Sequence, residues 1–328
     1  MILITGSSGH IGNVLVRKLV EQGEEVILMT KSGEKPLWLN HLDVAVRKAD
    51  LNDPEAVDEA IKGSSVVFHL AGIISISSFD STELHEINVE GTQYVVDACI
   101  RHGVKRLIYT SSVHALPERD YGEVISERAE FNASKLFGAY ARTKAEATRR
   151  VLEGVKKGLD AVICFPSGVM GPHDHRGSEA GRLIKDYANN RLPVYINGAY
   201  NFVDVRDVVN GLLLAWNHGK KGEGYILSGE KMSLQEFFDI LKSLHPQMRK
   251  PQWRIPLPVA LASAWFVESV CRIISVKPIF TVYAIKVLQS NCNMPSKKAS
   301  LELGYSARPV RQSIADSLEW FKENKLIS

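Results

Sequence analysis

Thr5-Gly-Ser-Ser-Gly-His-Ile-Gly12 is the stretch that decides the fold of this 328-residue chain, because of what lies on each side of it. The apolar run Ile2–Thr5 that enters it is typical of a buried strand, and Ile11–Gln22 has helical periodicity. Its glycines allow a tight turn and let the backbone approach a pyrophosphate, whose charge a helix N-terminus attracts. The stretch therefore predicts a dinucleotide-binding turn. The predicted contacts are Gly6, Ser8, Gly9, His10, Ile11 and Gly12.

Strand-like runs and helix-like patterns alternate through the first half of the chain. The predicted strands are Ile2–Thr5, Glu25–Met29, Val44–Lys48, Val66–Leu70, Arg106–Thr110 and Ala161–Phe165. The predicted helices are Ile11–Gln22, Pro54–Lys62, Thr82–His102 and Ser134–Lys157. Nearly continuous apolar strands separated by helices are typical of a parallel sheet covered on both faces. We therefore predict an α/β fold with a doubly wound, Rossmann-type parallel sheet.

The alternation becomes irregular after Pro166. Later elements are predicted as strands Asn201–Val205 and Tyr225–Leu227, a helix Val208–Asn217, and a helix opened by the capping-box spacing of Ser233-Leu-Gln-Glu236. We predict a dinucleotide-binding domain over residues 1–170, to which residues 202–228 return. A smaller C-terminal substrate-binding lobe is predicted from residues 171–201 and 229–328.

Composition restricts the class of partner. Hydrophobic residues make up 45% and charged residues 23%, and the net charge is +3 with the two signs interspersed. Nucleic-acid-binding proteins concentrate Lys and Arg on one face, so we expect no nucleic-acid partner. The scattered cysteines form no C-x-x-C pair, which favours free thiols in a reducing compartment. Because no basic segment or cleavage site precedes the first strand, we expect a cytoplasmic protein.

The most apolar segment is Val259–Val276. Glu268 and Arg272 interrupt it, so we do not expect it to span a membrane. Its amphipathic pattern leaves three interpretations open: a packed helix of the smaller lobe, a substrate lid, or a helix that lies on a membrane surface. The last interpretation predicts peripheral membrane contact through residues 259–276.

The end of the second predicted strand bears on the choice of cofactor. NAD-binding folds place an acidic residue roughly 20 positions after the glycine turn, where it binds the ribose 2′-hydroxyl. Leu28-Met-Thr-Lys-Ser32 contains no acid and presents Lys31, a cation that is able to pair with a 2′-phosphate. We therefore favour NADP(H) over NAD(H), with a solvated loop lysine as the alternative.

Tyr140-Ala-Arg-Thr-Lys144 lies in a helical pattern, so its tyrosine and lysine project from one face. A nearby ammonium lowers the pKa of a phenol toward the range useful at neutral pH, and we expect Lys144 to do this for Tyr140. Ser111 and Ser112 end a predicted strand at the carboxyl edge of the sheet, where α/β folds bind ligands. The glycine turn, the two serines and the Tyr-x-x-x-Lys motif, in this order along the chain, together predict a proton-transfer site.

With these motifs the chain resembles an extended short-chain dehydrogenase/reductase, a member of the superfamily that also holds sugar-nucleotide epimerases and dehydratases. The matching motifs are Thr5–Gly12, Asp50-Leu51, His69-Leu-Ala-Gly72, Asn88-Val-Glu-Gly-Thr92, Tyr109-Thr-Ser-Ser112, Tyr140–Lys144, Phe165-Pro-Ser-Gly-Val-Met-Gly-Pro172 and Phe202-Val-Asp-Val-Arg-Asp207. Three phrases are similar to the dihydroflavonol-4-reductase-like and 3β-hydroxysteroid-dehydrogenase-like branch. They are Phe165–Pro172, Gly224-Tyr-Ile-Leu-Ser-Gly229 and Ile255-Pro-Leu-Pro258.

The resemblance implies that Ser112, Tyr140 and Lys144 form a catalytic triad. The implied cofactor contacts are Asp50, Leu51, Leu70, Ala71, Gly72, Tyr140, Lys144, Phe165, Pro166, Gly168 and Val169. The implied reaction is reversible hydride transfer between NADP(H) and the carbonyl or secondary alcohol of a small lipophilic substrate. A monomer and a homodimer are both compatible with the resemblance.

Two other functions stay open at the level of sequence. Sugar-nucleotide epimerases and dehydratases, which hold NAD tightly, usually carry an asparagine where this chain has Gly168, and a tyrosine where it has Met170. A non-catalytic NADP-sensing or scaffold protein commonly loses the tyrosine or the lysine, and both are present here. These departures favour the reductase.

A few weaker candidates remain. The candidate substrate contacts are Ile74, Phe79, His114 and Ser167, for which core packing or a structural role is the alternative. His173-Asp-His175 looks like part of a metal cluster, but it lacks a third ligand at suitable spacing. We expect a polar loop there and no metal.

Overall fold

The structure is a computed structural model that describes residues 1–76, 81–127, 130–251, 253–274 and 281–327. The strands are β1 Ile2–Thr5, β2 Val26–Thr30, β3 Ala45–Lys48, β4 Val66–His69, β5 Arg106–Thr110, β6 Ala161–Pro166, β7 Gly168–Met170, β8 Val194–Tyr195, β9 Ala199–Asp204, β10 Gly224–Leu227, β11 Glu230–Ser233 and β12 Trp253–Arg254. The helices are α1 His10–Glu21, α2 Pro54–Ile61, α3 Thr82–His85, α4 Gly91–Arg101, α5 Ala139–Lys156, α6 Glu179–Ala188, α7 Val205–His218, α8 Leu234–Leu244, α9 Leu257–Ile273, α10 Val282–Gln289, α11 Lys297–Leu303 and α12 Val310–Glu323.

Within the described residues, seven parallel strands form the main sheet in the order β3-β2-β1-β4-β5-β6-β10. The first strand lies in the middle, with Ile2 opposite Val26 on one side and Val66 on the other. This order reverses direction at β1, as in doubly wound dinucleotide-binding sheets. The predicted fold class is confirmed, and the predicted strands agree with the observed ones to within two residues.

Alternate residues of each central strand pack on opposite faces of this sheet. Leu3 and Val67 belong to a buried cluster with α2, α4 and α5, whereas Ile4 and Phe68 belong to one with α1 and α7. Both faces are therefore covered, which explains why these strands lack the polar alternation of a half-exposed sheet.

The predicted helix Thr82–His102 is not continuous. It divides into α3, a π-helical turn over Glu86–Glu90, and α4. The predicted helix Ser134–Lys157 also starts late, because Gly138 at φ +94° precedes the first residue of α5. Single π-turns of this kind are frequent at functional sites, and both departures lie beside the candidate active site described below.

Helices α6, α8 and α12 pack around a smaller, three-stranded sheet. Strand β9 pairs in parallel with β7 and antiparallel with β11, and a third buried cluster joins this sheet to α6, α8 and α12. Helix α8 begins with the predicted capping box of Ser233 and Glu236. Strand β10 returns to the main sheet beside β6. The division into a cofactor-binding domain and a substrate-binding lobe stays a prediction.

The four cysteines are unbonded, and Cys271 is the half-buried one while the others are buried. Among the described residues, no helix has the length and apolar character needed to cross a bilayer. Helix α9, which covers most of the apolar segment, is 17 residues long.

Candidate active site

The glycine turn is held at close quarters to the loop after β4. Gly6 has φ +75°, and a Cβ built on it would lie 2.6 Å from the backbone nitrogen of Ala71. A Cβ on Gly12 would lie 2.2 Å from the carbonyl oxygen of Gly6. Because these contacts are with backbone atoms, neither position has room for a side chain. The turn therefore requires glycine at both positions.

The N-terminus of α1 faces this turn without a side-chain cap. Gly9 is the N-cap residue, and it has no side chain that could accept hydrogen bonds from the first backbone amides of the helix. The buried Ser7 hydroxyl has no hydrogen-bond partner among the described residues. Uncapped amides and an orphaned hydroxyl at a helix N-terminus suit an anionic group, so these residues fit the pyrophosphate of a dinucleotide.

A buried chain of hydrogen bonds connects β1, β4 and α4 beneath the turn. The Thr5 hydroxyl lies 2.7 Å from His69 Nδ1 and accepts from the Ala71 amide at 3.1 Å. His69 Nε2 lies 3.0 Å from the hydroxyl of Thr92. Burial lowers the pKa of His69 to about 3. The histidine is therefore neutral at physiological pH and fixes the loop that begins at Leu70.

Asn88, in the π-helical turn, joins this loop to α5, the helix that carries Tyr140 and Lys144. Its side-chain oxygen accepts from the Ile73 amide at 2.8 Å, and its side-chain nitrogen donates to the Ile73 carbonyl at 2.9 Å. The same nitrogen lies 3.2 Å from the hydroxyl of Thr143. A Cβ on Gly72 would lie 3.0 Å from the Asn88 oxygen. Sequence reasoning did not single out Asn88 as a site residue, although it belongs to a quoted motif.

Tyr140 lies in the first turn of α5, next to the strand end that carries Ser112. Burial raises the pKa of Tyr140 to about 12, and hydrogen bonding with Ser112 offsets part of this rise. The Ser112 hydroxyl also accepts from the His114 amide at 3.3 Å, which fixes the turn after β5. The predicted serine and tyrosine are therefore neighbours.

Lys144 lies one helical turn after Tyr140, and its side chain is buried. Its Nζ donates to the carbonyl of Thr110 at 2.7 Å and lies 4.8 Å from the ring centre of Tyr109. Burial lowers the pKa of Lys144 to about 7. The expectation that this lysine lowers the pKa of Tyr140 is wrong in this structure, because burial outweighs it and the ammonium is directed to Thr110.

The His114 ring lies beside Tyr140 and connects it to two further tyrosines. The His114 ring centre lies 6.0 Å from those of Tyr140, Tyr200 and Tyr283, and His114 Nε2 lies 2.7 Å from the Tyr200 hydroxyl. Burial lowers the pKa of His114 to about 4. Tyr200 on β9 and Tyr283 on α10 had no sequence signal, since no local motif indicates that β9 and α10 meet the catalytic helix.

Tyr283 also explains why α5 begins at a glycine. A Cβ on Gly138 would lie 2.2 Å from the Tyr283 ring. The described atoms leave the Tyr283 hydroxyl buried and without a hydrogen-bond partner. Burial raises the pKa of this phenol above its usual range. A neutral donor is thus available beside Tyr140.

The segment after β6 divides into packed and site-facing residues. The Phe165 ring is buried and stacks on Phe131 at 5.7 Å, so this side chain belongs to the core. The Ser167 hydroxyl donates to the Asn201 side chain at 2.8 Å and connects the main sheet to the smaller one. A Cβ on Gly168 would lie 2.4 Å from the Tyr200 ring, so Tyr200 occupies the space that a larger residue would need.

An exposed ion pair lies just after the carboxyl ends of β2 and β3. Lys31 Nζ lies 2.7 Å from a carboxylate oxygen of Asp50, and the lysine side chain is 77% exposed. The pair raises the pKa of Lys31 and lowers that of Asp50 through their hydrogen bond. Lys31 and Asp50, which were both predicted to contact the cofactor, are therefore direct partners.

The remaining candidates are less informative. Ile74 is exposed, Val169 is half-buried, Leu51 packs against Gly91, and Phe79 lies outside the described residues. The carboxylate of Asp174 accepts hydrogen bonds from Gly177 and Ser178. In the described part of the chain, no cluster of three His, Cys, Asp or Glu side chains is arranged to hold a metal ion.

The chain belongs to the NAD dependent epimerase/dehydratase family, whose pattern it matches over residues 2–228. It is 32% identical to the "Putative dihydroflavonol 4-reductase" of Synechocystis sp., over 98% of this chain and 94% of that protein. It is also 32% identical to the "Sterol demethylase protein B" of Methylococcus capsulatus, over 99% of both. The crystal structure of gox2253 superimposes with a TM-score of 0.87 at 30% identity, covering 100% of this chain and 99% of that one. The chain is an NAD(P)-dependent oxidoreductase of the extended short-chain type.

Proposed function

We propose that this protein transfers hydride between NADP(H) and the carbonyl or secondary alcohol of a small lipophilic substrate. The observation that carries the proposal is the convergence of Ser112, Tyr140 and Lys144 at the carboxyl edge of the sheet that bears the glycine turn. A phenol, a hydroxyl and a buried amine at one edge suit proton transfer to a reacting oxygen. A bound nicotinamide supplies the hydride in this class of enzyme.

In the direction of reduction, Tyr140 donates the proton of its hydroxyl to the carbonyl oxygen. Its pKa of about 12 keeps that proton in place until charge develops on the substrate. Ser112 donates a hydrogen bond to the same oxygen and fixes its position. Lys144, with a pKa of about 7, is able to exchange a proton near neutral pH and to restore the phenol.

The glycine turn and the N-terminus of α1 would hold the pyrophosphate, and Lys144 the nicotinamide ribose. Lys31 supports the choice of NADP(H), because it is an exposed cation at the end of β2, where NAD-binding folds place an acid. Asp50 works against this preference, since its carboxylate offsets the charge of Lys31. The preference for NADP(H) therefore depends on whether Lys31 pairs with a 2′-phosphate more strongly than with Asp50.

The aromatic cluster around Tyr140 supports a lipophilic substrate. His114, Tyr200 and Tyr283 present rings rather than charges, and His114 is neutral near pH 7 because burial lowers its pKa. The relatives are named for a flavonoid and a sterol, both ring-containing lipophilic molecules.

Gly168 and Tyr200 favour a reductase over a sugar-nucleotide epimerase. In such epimerases an asparagine commonly stands at the place of Gly168. Here the Tyr200 ring lies 2.4 Å from the position of a Cβ, so an asparagine would displace that ring. The arrangement supports an apolar pocket in place of a subsite for a nucleoside diphosphate.

A substrate panel separates these functions. Ketones and aldehydes of increasing size are incubated with NADPH, and the absorbance of the cofactor is followed. We expect cofactor-dependent oxidation that is fastest for ring-containing lipophilic carbonyls. In a second arm, UDP- and dTDP-sugars are incubated without added cofactor. Turnover in that arm, with an inert carbonyl panel, would replace the proposal by an epimerase.

A further inference from the structure

Helix α9 buries small or charged side chains and exposes large apolar ones, the reverse of an ordinary amphipathic helix. Its buried stripe consists of the small or charged residues Ala260, Ala264 and Glu268, spaced four residues apart. The opposite face exposes large apolar residues along the whole helix. They are Val259, Phe266, Val270 and Ile273, with Trp265 and Val267 at the flanks. A helix that only packs on the smaller lobe would bury its large apolar side chains instead.

The buried acid has a structural role that removes its charge from the surface. A carboxylate oxygen of Glu268 accepts from the backbone amide of Val282 at 3.1 Å, at the first residue of α10. An acidic group at a helix N-terminus stabilises that helix. Glu268 therefore holds α9 against α10, and this attachment leaves the apolar face outward.

The exposed face is large. Phe266 is 64% exposed, Trp265 65% and Ile273 82%. Single exposed apolar residues are ordinary, but a contiguous patch of this kind marks an interaction site. Tryptophan is moreover enriched where proteins meet the interface between lipid and water.

The charges along the chain on either side of α9 are mostly of one sign. Between residues 249 and 291 the sequence contains a single acid, which is the buried Glu268. The basic residues in the same interval are Arg249, Lys250, Arg254, Lys277, Lys286 and Arg272. Arg254 and Arg272 stand near the two ends of α9 and are exposed. A two-fold contact between copies of this chain through α9 would bring the basic helix ends of both copies together, which disfavours a dimer here.

We infer that the outward face of α9 docks onto the surface of an anionic lipid bilayer. The apolar side chains would enter the headgroup region, and Arg254 near the start of the helix would pair with lipid phosphates. The charge pattern favours this occupant over a second copy of the chain. The helix would lie along the surface rather than cross it.

The docked face is continuous with the candidate active site. Helix α10, which Glu268 attaches to α9, carries Tyr283 of the aromatic cluster. The Thr281 hydroxyl donates to the carbonyl of Ile76, at the end of the loop that carries Ile74. The mouth of the site would therefore open close to the bilayer. The consequence that substrate arrives dissolved in lipid rests on the proposed function, whereas the docking itself does not.

Vesicle co-sedimentation of the full chain tests the docking without substrate or cofactor. Vesicles of phosphatidylcholine alone are compared with vesicles that also contain phosphatidylglycerol, at low and high salt. We expect binding to the anionic vesicles that weakens with salt. The double variant Trp265→Ser/Phe266→Ser should bind about tenfold more weakly or worse, because it loses buried apolar area. Arg254→Gln should cost about fivefold, on anionic vesicles only.

Leu301→Ser is the matched control, since Leu301 is 76% exposed on α11, away from α9. It should bind vesicles like the wild type, and circular dichroism should show that all variants are folded. Equal binding by the double variant and the wild type would overturn the inference. Absence of wild-type binding to anionic vesicles would also overturn it. So would a dimer of the wild-type chain, detected by sedimentation velocity, that the double variant does not form. Carbonyl reduction measured with a water-soluble substrate should be unchanged in the double variant, which keeps this outcome separate from that of the proposed function.

Discussion

The two ends of the candidate cofactor cleft are built in opposite ways. At the catalytic end, Lys144 and His69 are buried, and burial moves both pKa values far from their ordinary range. At the other end, Lys31 and Asp50 form an exposed ion pair that water and salt screen. Burial thus sets the protonation states at the first end, whereas the preference between cofactors depends on a weak, exposed ion pair. Substitutions at the first end should have large effects, and those at the second end small ones.

The largest effect is expected from Lys144→Met at the buried end. The variant keeps an unbranched side chain but removes the amine that contacts the Thr110 carbonyl and serves the phenol. Loss of a proton-transfer partner should lower kcat/KM by about 10³-fold. Steady-state reduction of the best carbonyl measures it. A loss below tenfold, with folding intact, would remove Lys144 from the catalytic machinery.

Asn88→Ala should have the next largest effect, as a test of a positioning residue. Its bonds to Ile73 and Thr143 fix the loop and the catalytic helix relative to each other. Small misplacement of reacting groups costs up to about 100-fold in rate, so kcat should fall by roughly that factor. NADPH affinity, measured by fluorescence titration, should change little. An equal loss of affinity and rate would instead indicate a general structural role.

The pH dependence of stability should report the buried histidines. His69, His114 and His173 take up protons near pH 3, pH 4 and pH 4 when folded, but near 6.5 when unfolded. Below pH 6.5 the unfolded state therefore binds more protons, so stability should fall as pH decreases toward 4. The slope is roughly 1.4 kcal/mol per pH unit for each group at most. Urea unfolding at several pH values measures this slope.

Two variants test the cause of that slope. His114→Phe should flatten it by about a third, because one of the three imidazoles whose pKa is lowered to about 3 or 4 is gone. Tyr200→Phe removes the hydrogen bond but keeps the buried imidazole, so its slope should stay near that of the wild type. Identical slopes in His114→Phe and the wild type would mean that His114 is hydrated and able to titrate normally.

The smallest effect is expected at the exposed end. Lys31→Ala should raise the KM for NADPH by about threefold to tenfold and leave that for NADH unchanged, since an exposed charge pair contributes little. Asp50→Asn is the opposing variant and should strengthen the preference for NADPH. Steady-state kinetics with both cofactors gives the ratio. A loss of NADH turnover in Lys31→Ala would contradict the role assigned to the lysine.

Local patterns were sufficient for the main sheet and the glycine turn. The strands around β1 are buried on both faces, so their apolar runs are readable without tertiary knowledge. The positions of Ser112 and of the Tyr140–Lys144 pair could also be predicted locally. A strand end defines the first, and the helical repeat defines the second.

The remaining site residues depend on tertiary contacts that no local pattern encodes. Tyr200 and Tyr283 come from distant elements, and Asn88 acts through a π-turn inside an apparently regular helix. The pKa values of Tyr140 and Lys144 depend on burial, so the sequence suggested the wrong direction for the tyrosine. In α9, Glu268 resembled part of a polar face, whereas the fold turns it inward to Val282.

The central claim is that Tyr140 donates the proton during hydride transfer. Its most direct test compares Tyr140→Phe with Tyr121→Phe, a control at an exposed tyrosine. Carbonyl-dependent oxidation of NADPH and the affinity for NADPH are measured on both variants. The account predicts that Tyr140→Phe loses at least about 10²-fold in kcat with unchanged NADPH affinity, while Tyr121→Phe behaves like the wild type. Wild-type turnover by Tyr140→Phe would contradict it.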